Sequence, residues 1–132
     1  MDESEVIYKN AWPYQQDKMN LPVNSVEEAL PFYENIMGFM KTAEYDAPHK
    51  AVVLSRNGLE IGLAENGGDP TQDGCFFEVS NVEAAFAELQ AKGWDKGNAD
   101  FSFQRHGTTN WKVFFVVAPD GLCYCVGQKQ GV

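Results

Sequence analysis

The chain has 132 residues, 44% hydrophobic and 13% aromatic, with a formal net charge of −9; this describes one packed domain rather than a disordered tail, and its field opposes nucleic acid and anionic membranes. No apolar run reaches the roughly 18 residues of a membrane span, and the opening Met1-Asp2-Glu3-Ser4-Glu5 lacks the basic and apolar regions of a signal peptide. Three cysteines, Cys75, Cys123 and Cys125, make an odd number, so a cytoplasmic protein with reduced thiols is expected.

Residues 1–16 form an N-terminal extension whose Tyr8, Trp12 and Tyr14 are too apolar for a free tail, so it is expected to pack on the domain or across a dimer. An extended stretch, Asp17 to Val23, leads to Ser25, placed to cap a helix with Glu28 three residues on. Ala29, Phe32, Tyr33, Ile36 and Met37 recur at helical spacing and Gly38 ends the run, but Pro31 removes one hydrogen bond and should bend it. Strands are predicted over Met40–Tyr45, Lys50–Ser55 and Leu59–Ala64, with Arg56-Asn57-Gly58 turning the last pair. The polar, glycine-rich stretch from Glu65 to Pro70 marks a boundary. Beyond it a strand over Cys75–Val79, a helix over Val82–Lys92 closed by Gly93, and strands over Asp100–Gln104, Trp111–Val117 and Cys123–Gly127 follow, with Pro119-Asp120-Gly121 as the final turn.

The same order is therefore written twice. Val23-Asn24-Ser25-Val26-Glu27-Glu28-Ala29 answers Val79-Ser80-Asn81-Val82-Glu83-Ala84-Ala85, a displacement of 56 residues from Val23 to Val79. The expected architecture is α+β, one domain over 1–132 with βαβββ modules at 17–66 and 72–128. Three stretches, LPVNSVEEALPFYENIMGF, FFEVSNVEAAFAELQAKG and FFVVAPDGLCYCVGQ, resemble the glyoxalase, bleomycin-resistance protein and dioxygenase superfamily in that order. The resemblance covers Lys18 to Gln128 and implies curved sheets around a ligand cavity, usually in a homodimer.

The family's metalloenzymes hold a divalent ion with His, Gln or Glu on the first and last strands of each module. Counting from Phe32-Tyr33 places the first such position at Lys18, and the 56-residue displacement places its counterpart at Gly74. The last-strand positions fall on Gly62 and Cys125. A protonated lysine and two glycines offer no ligand, and one thiol does not make a site, so no metal or other cofactor is expected. Cys123 and Cys125 share a face two residues apart, but buried small hydrophobes are the expected role. His49 and His106 fall in loops and are expected to be solvated.

Alternation places Lys18, Asn20, Phe76 and Glu78 on the cavity side of the two first strands, with Met19, Leu21, Cys75, Phe77 and Val79 against the helices, and leaves Glu60 on the cavity side of its own strand. The stretch Trp111 to Val117 reads as a strand covered on both faces, and Phe103, Trp111 and Phe114 are candidates for a binding surface. Aromatic faces with a few charges suit a flat or cationic small molecule; an ion pair between Lys18 and Glu78 that merely fills the metal position is the competing reading. The resemblance points to a metal-independent binding protein near the bleomycin-resistance branch. The alternative is a lyase, isomerase or dioxygenase with a shifted metal site.

Overall fold

The structure, a computed structural model, describes residues 6–14, 17–94 and 101–130. Among these residues nine strands and two α-helices follow in chain order: β1 (Tyr8–Pro13), β2 (Leu21–Pro22), α1 (Val26–Pro31), β3 (Met40–Tyr45), β4 (Ala51–Arg56), β5 (Leu59–Ala64), β6 (Gly74–Val79), α2 (Val82–Ala91), β7 (Ser102–His106), β8 (Thr109–Val117) and β9 (Cys123–Lys129). None of these helices is long and apolar enough to cross a membrane.

The strands form two sheets, ordered β2-β5-β4-β3 and β1-β6-β9-β8-β7. Without β1 the orders are identical, and in each sheet the module's first strand lies parallel to its last: Leu21 pairs with Leu63, and Phe77 with Val126. Duplication extends to the helix caps. Ser25 Oγ accepts from the Glu28 amide and Asn81 Oδ1 from the Ala84 amide, while Val26 N–H donates to Glu65 and Val82 N–H to Gln128, each acceptor standing just past the same register point of its last strand. Side chains reaching from the sheet thus satisfy amides that a helix start leaves orphaned.

Three local features correct or sharpen the sequence expectation. The predicted strand Asp17 to Val23 shrinks to Leu21–Pro22, because Asp17 Oδ1 accepts from Met19 N–H, Asp17 Oδ2 from the Asn20 amide, and Asp17 O from Asn20 N–H. An aspartate that can bond its own backbone two residues on favours a turn over a ladder. The N-terminal segment instead supplies a full strand, β1, antiparallel to β6. Finally, α1 passes at Pro31 into a wide π-type turn over Phe32–Ile36, with Met37 N–H bonded to Phe32 O; the imino nitrogen of Pro31 cannot continue the ordinary ladder. The Asn57-Gly58 turn behaves as read, both residues at positive φ as a two-residue hairpin requires.

The main core lies on the helix side of both sheets. Leu21, Leu54, Ile61 and Leu63 from one sheet and Phe77, Val116, Tyr124 and Val126 from the other belong to one continuous cluster. Tyr33, after α1, shares a 2.5 Å hydrogen bond with Tyr124 of β9. Arg56 of β4 clasps both carboxylate oxygens of Glu88 on α2, at 2.7 and 2.9 Å, and its guanidinium stacks 4.3 Å from the ring centre of Tyr8. These contacts tie the two modules together through buried tyrosines and a part-buried ion pair.

Candidate functional site

Strand alternation divides the second sheet cleanly. One face of β6, β8 and β9 (Phe77, Phe114, Val116, Tyr124, Val126) enters the main core. The other carries a separate buried cluster of Phe76, Trp111, Val113 and Cys125, to which β1 adds Trp12 opposite Phe76. Phe76 and Trp111 meet edge to face at 5.0 Å, and Trp12 contacts both, at 5.9 and 6.1 Å. His106, at the end of β7, stands 5.7 Å from Phe76 and 6.3 Å from Trp111. Together with Thr109 these side chains line an open hollow of about 300 Å³.

The rings are packed where sheet geometry and missing side chains let them lean. Gly127 of β9 sits beside Phe76, and a Cβ there would stand 2.7 Å from the ring's tip. Phe76 therefore lies across a glycine, which lets Trp111 approach from β8. Phe115 and Val117 continue the same face and are exposed, whereas Trp111 and Val113 on it are buried, so the second face of β8 is covered over only part of its length. The expectation of a strand buried on both faces holds at Trp111 and Val113 and fails at Phe115 and Val117: apolar alternation alone does not say how far a second layer extends.

The sequence-predicted residues separate into several places. Phe76 and Trp111 line the hollow, with Cys125 beneath them. Lys18 and Glu60 lie together in a different, polar groove of about 440 Å³ beside Lys9 and Asn10 of β1. Met19 borders that groove instead of packing on a helix, because it belongs to the Asp17 turn. Asn20 is exposed in the same turn. Phe114 is buried on the helix side against Phe86, and Phe103 pairs with Lys112 on that side with 70% of its surface exposed; neither lines the aromatic hollow. Three residues separate Trp111 from Phe114, and an odd step along a strand reverses the face. Trp12 and His106 are the site residues that the sequence reading left out: β1 was not read as a strand, and His106, expected in a loop, ends β7.

Glu78 is the buried charged residue among those described, 6% exposed. It shares the face of Phe76, and Asn10 Nδ2 donates to its Oε1 at 2.7 Å. Lys18 does not pair with it; among the described residues Glu78 makes no ion pair.

The four positions where the family's metalloenzymes hold an ion do not fit one here. Lys18 is in a turn whose backbone occupies the space beside Gly62: a Cβ on Gly62 would stand 2.1 Å from Met19 O. At Gly74 it would stand 1.7 Å from Cys123 O. Cys125 is buried, and desolvation followed by the neighbouring Cys123 pushes its thiol up to about 12, which disfavours the thiolate that binds metal. No group of three or more His, Cys, Asp or Glu among the described residues converges as a metal site would require.

Comparison with known proteins agrees with this architecture. A sequence model of the Glyoxalase/Bleomycin resistance protein/Dioxygenase superfamily matches residues 15–123. Among solved structures, a virulence protein of Salmonella typhimurium aligns with TM-score 0.65 and 18% identity over 86% of this chain and 95% of its own. An antibiotic binding protein from a Streptomyces species aligns with TM-score 0.61 and 18% identity, over 88% and 97%. A bleomycin resistance determinant encoded on transposon Tn5 aligns with TM-score 0.60 and 19% identity, over 89% and 99%. No curated protein matches the chain significantly.

Proposed function

Starting from a chain that belongs to the Glyoxalase/Bleomycin resistance protein/Dioxygenase superfamily, we propose that it is a metal-independent small-molecule-binding protein that holds a flat ligand between Trp12, Phe76 and Trp111. The observation that carries this reading is the separation of these rings from the main core. A folded domain gains most by adding aromatic area to one core, whereas three rings and an imidazole around an open hollow on the opposite face form a ligand wall. The names of two structural relatives, an antibiotic binding protein and a bleomycin resistance determinant, support the same ligand class.

The chain is proposed to work as a homodimer. Trp12, Phe115 and Val117 expose apolar surface on the face that carries the hollow, and a second copy lying over it would close the open side and bury that surface. A small-molecule titration followed by tryptophan fluorescence tests the site, since Trp12 and Trp111 are in its wall. A panel of flat aromatic compounds should include binders that quench or shift the emission. Trp111→Ala should weaken those binders at least tenfold, the scale of removing about 2 kcal/mol of ring contact, while leaving the far-ultraviolet dichroism unchanged. Unaltered affinity in this variant would place the ligand elsewhere. Light scattering should give twice the chain mass.

A further inference from the structure

Glu78 poses a problem that the aromatic wall does not solve. Removing a carboxylate from water is costly unless charges or several donors replace its hydration. Here the replacement is one neutral amide, from Asn10, on one oxygen. Among the described residues no buried side-chain oxygen or nitrogen is left without a partner. Among the described residues the hydrogen bond to Glu78 falls on Oε1, so its second oxygen keeps contact with solvent rather than being sealed in the sheet.

Its direction follows from register. Asn10 pairs with Glu78 and Trp12 with Phe76, so carboxylate and rings are neighbours on one face, about 7 Å apart along the strand. Across the sheet Glu78 pairs with Gly127, the residue over which the Phe76 ring leans. The carboxylate thus stands one strand step beyond the aromatic wall on the same face, its Asn10 partner bordering the groove that holds Lys9 and Lys18, and among the described residues it makes no ion pair.

Resting on the cleft proposed above, we infer that Glu78 is the anchor for a positively charged group of the ligand, with Asn10 as its positioning residue. The ligand class is then an aromatic ring system bearing an ammonium, amidinium or guanidinium within one strand step of the ring. The ring stacks on Phe76, Trp111 and Trp12. The cation replaces the charge partner that the folded chain withholds, as the quadrupoles of the same rings would also favour. The net charge of −9 raises the local concentration of such a ligand.

Calorimetric titration with two probes of one shape, 1-naphthylmethylammonium and 1-naphthylmethanol, tests the assignment. The ammonium should bind the unmodified chain tenfold to a hundredfold more tightly than the alcohol, the scale of a hydrogen bond to a charged group. Glu78→Gln should lower ammonium affinity to that of the alcohol and leave the alcohol unchanged, and Trp111→Ala should weaken both. Equal affinities in the unmodified chain, or an ammonium preference that survives Glu78→Gln, would overturn the anchor and leave the cleft intact. Failure of both probes to bind would remove the cleft and the anchor together. The comparison in the unmodified chain decides the question even if the Gln variant does not fold.

Discussion

Replacing Gly62 by alanine tests whether the space of the family's metal position is closed. The added Cβ would stand 2.1 Å from Met19 O, 2.7 Å from its carbonyl carbon and 3.0 Å from its Cα. All three are backbone atoms in a turn pinned by Asp17, so relief requires displacing the turn rather than rotating a side chain. Overpacking of this kind costs about 1–3 kcal/mol. Displacement also breaks the 2.9 Å bond from Gly62 N–H to Lys18 O, a further loss of about 1 kcal/mol. A total of about 3 kcal/mol should lower Tm by roughly 10 °C in a domain of this size, read by circular dichroism. Gly62→Glu, which installs the carboxylate used by the metalloenzymes, should lose at least as much and recover none of it with Mn²⁺ or Zn²⁺. A Tm fall for Gly62→Ala below about 3 °C, or metal-dependent recovery of the Glu variant, would refute the closed position.

Two further outcomes follow from the contacts between modules. Arg56→Met should cost about 3 kcal/mol in urea unfolding, because it leaves Glu88 with only the 3.8 Å contact to Lys92 and also frees the Met37 and Val6 carbonyls; a loss below about 1 kcal/mol would show that the clasp is dispensable. Burial holds the Asp120 carboxyl above its ordinary value of 3.8, opposed by hydrogen bonds from Leu122 N–H and the Tyr33 hydroxyl. A carboxyl raised in the folded state contributes its full stability below the unfolded value and loses it as pH rises through the folded one. Relative to Asp120→Asn, the unmodified chain should therefore lose Tm as pH rises above the ordinary aspartate value of 3.8, and a relative gain of Tm over that rise would reverse the assignment.

The sequence by itself determined the doubled plan. Val23 to Ala29 and Val79 to Ala85 match at 56 residues, and because strand and helix periods are local, the copies build the same strand order and even the same crossed caps from Glu65 and Gln128. With the family resemblance it also put glycines, Gly62 and Gly74, at two positions where the family's metalloenzymes hold an ion. Only tertiary structure decided what fills those positions. Asp17 turned a predicted strand into a turn whose carbonyl lies over Gly62, and β1 came from the N-terminal extension to pair with β6. Neither event has a sequence period: the first rests on one aspartate bonding its own backbone, the second on which segment wins a vacant sheet edge. The site shifted for the same reason. Phe76, Trp111 and Glu78 were legible by alternation, but Trp12 and Asn10 reach them from a strand that pairs across a long sequence separation, His106 ends the first strand of the short β7–β8 hairpin, and Phe114 left the site because one odd step sends a side chain through the sheet.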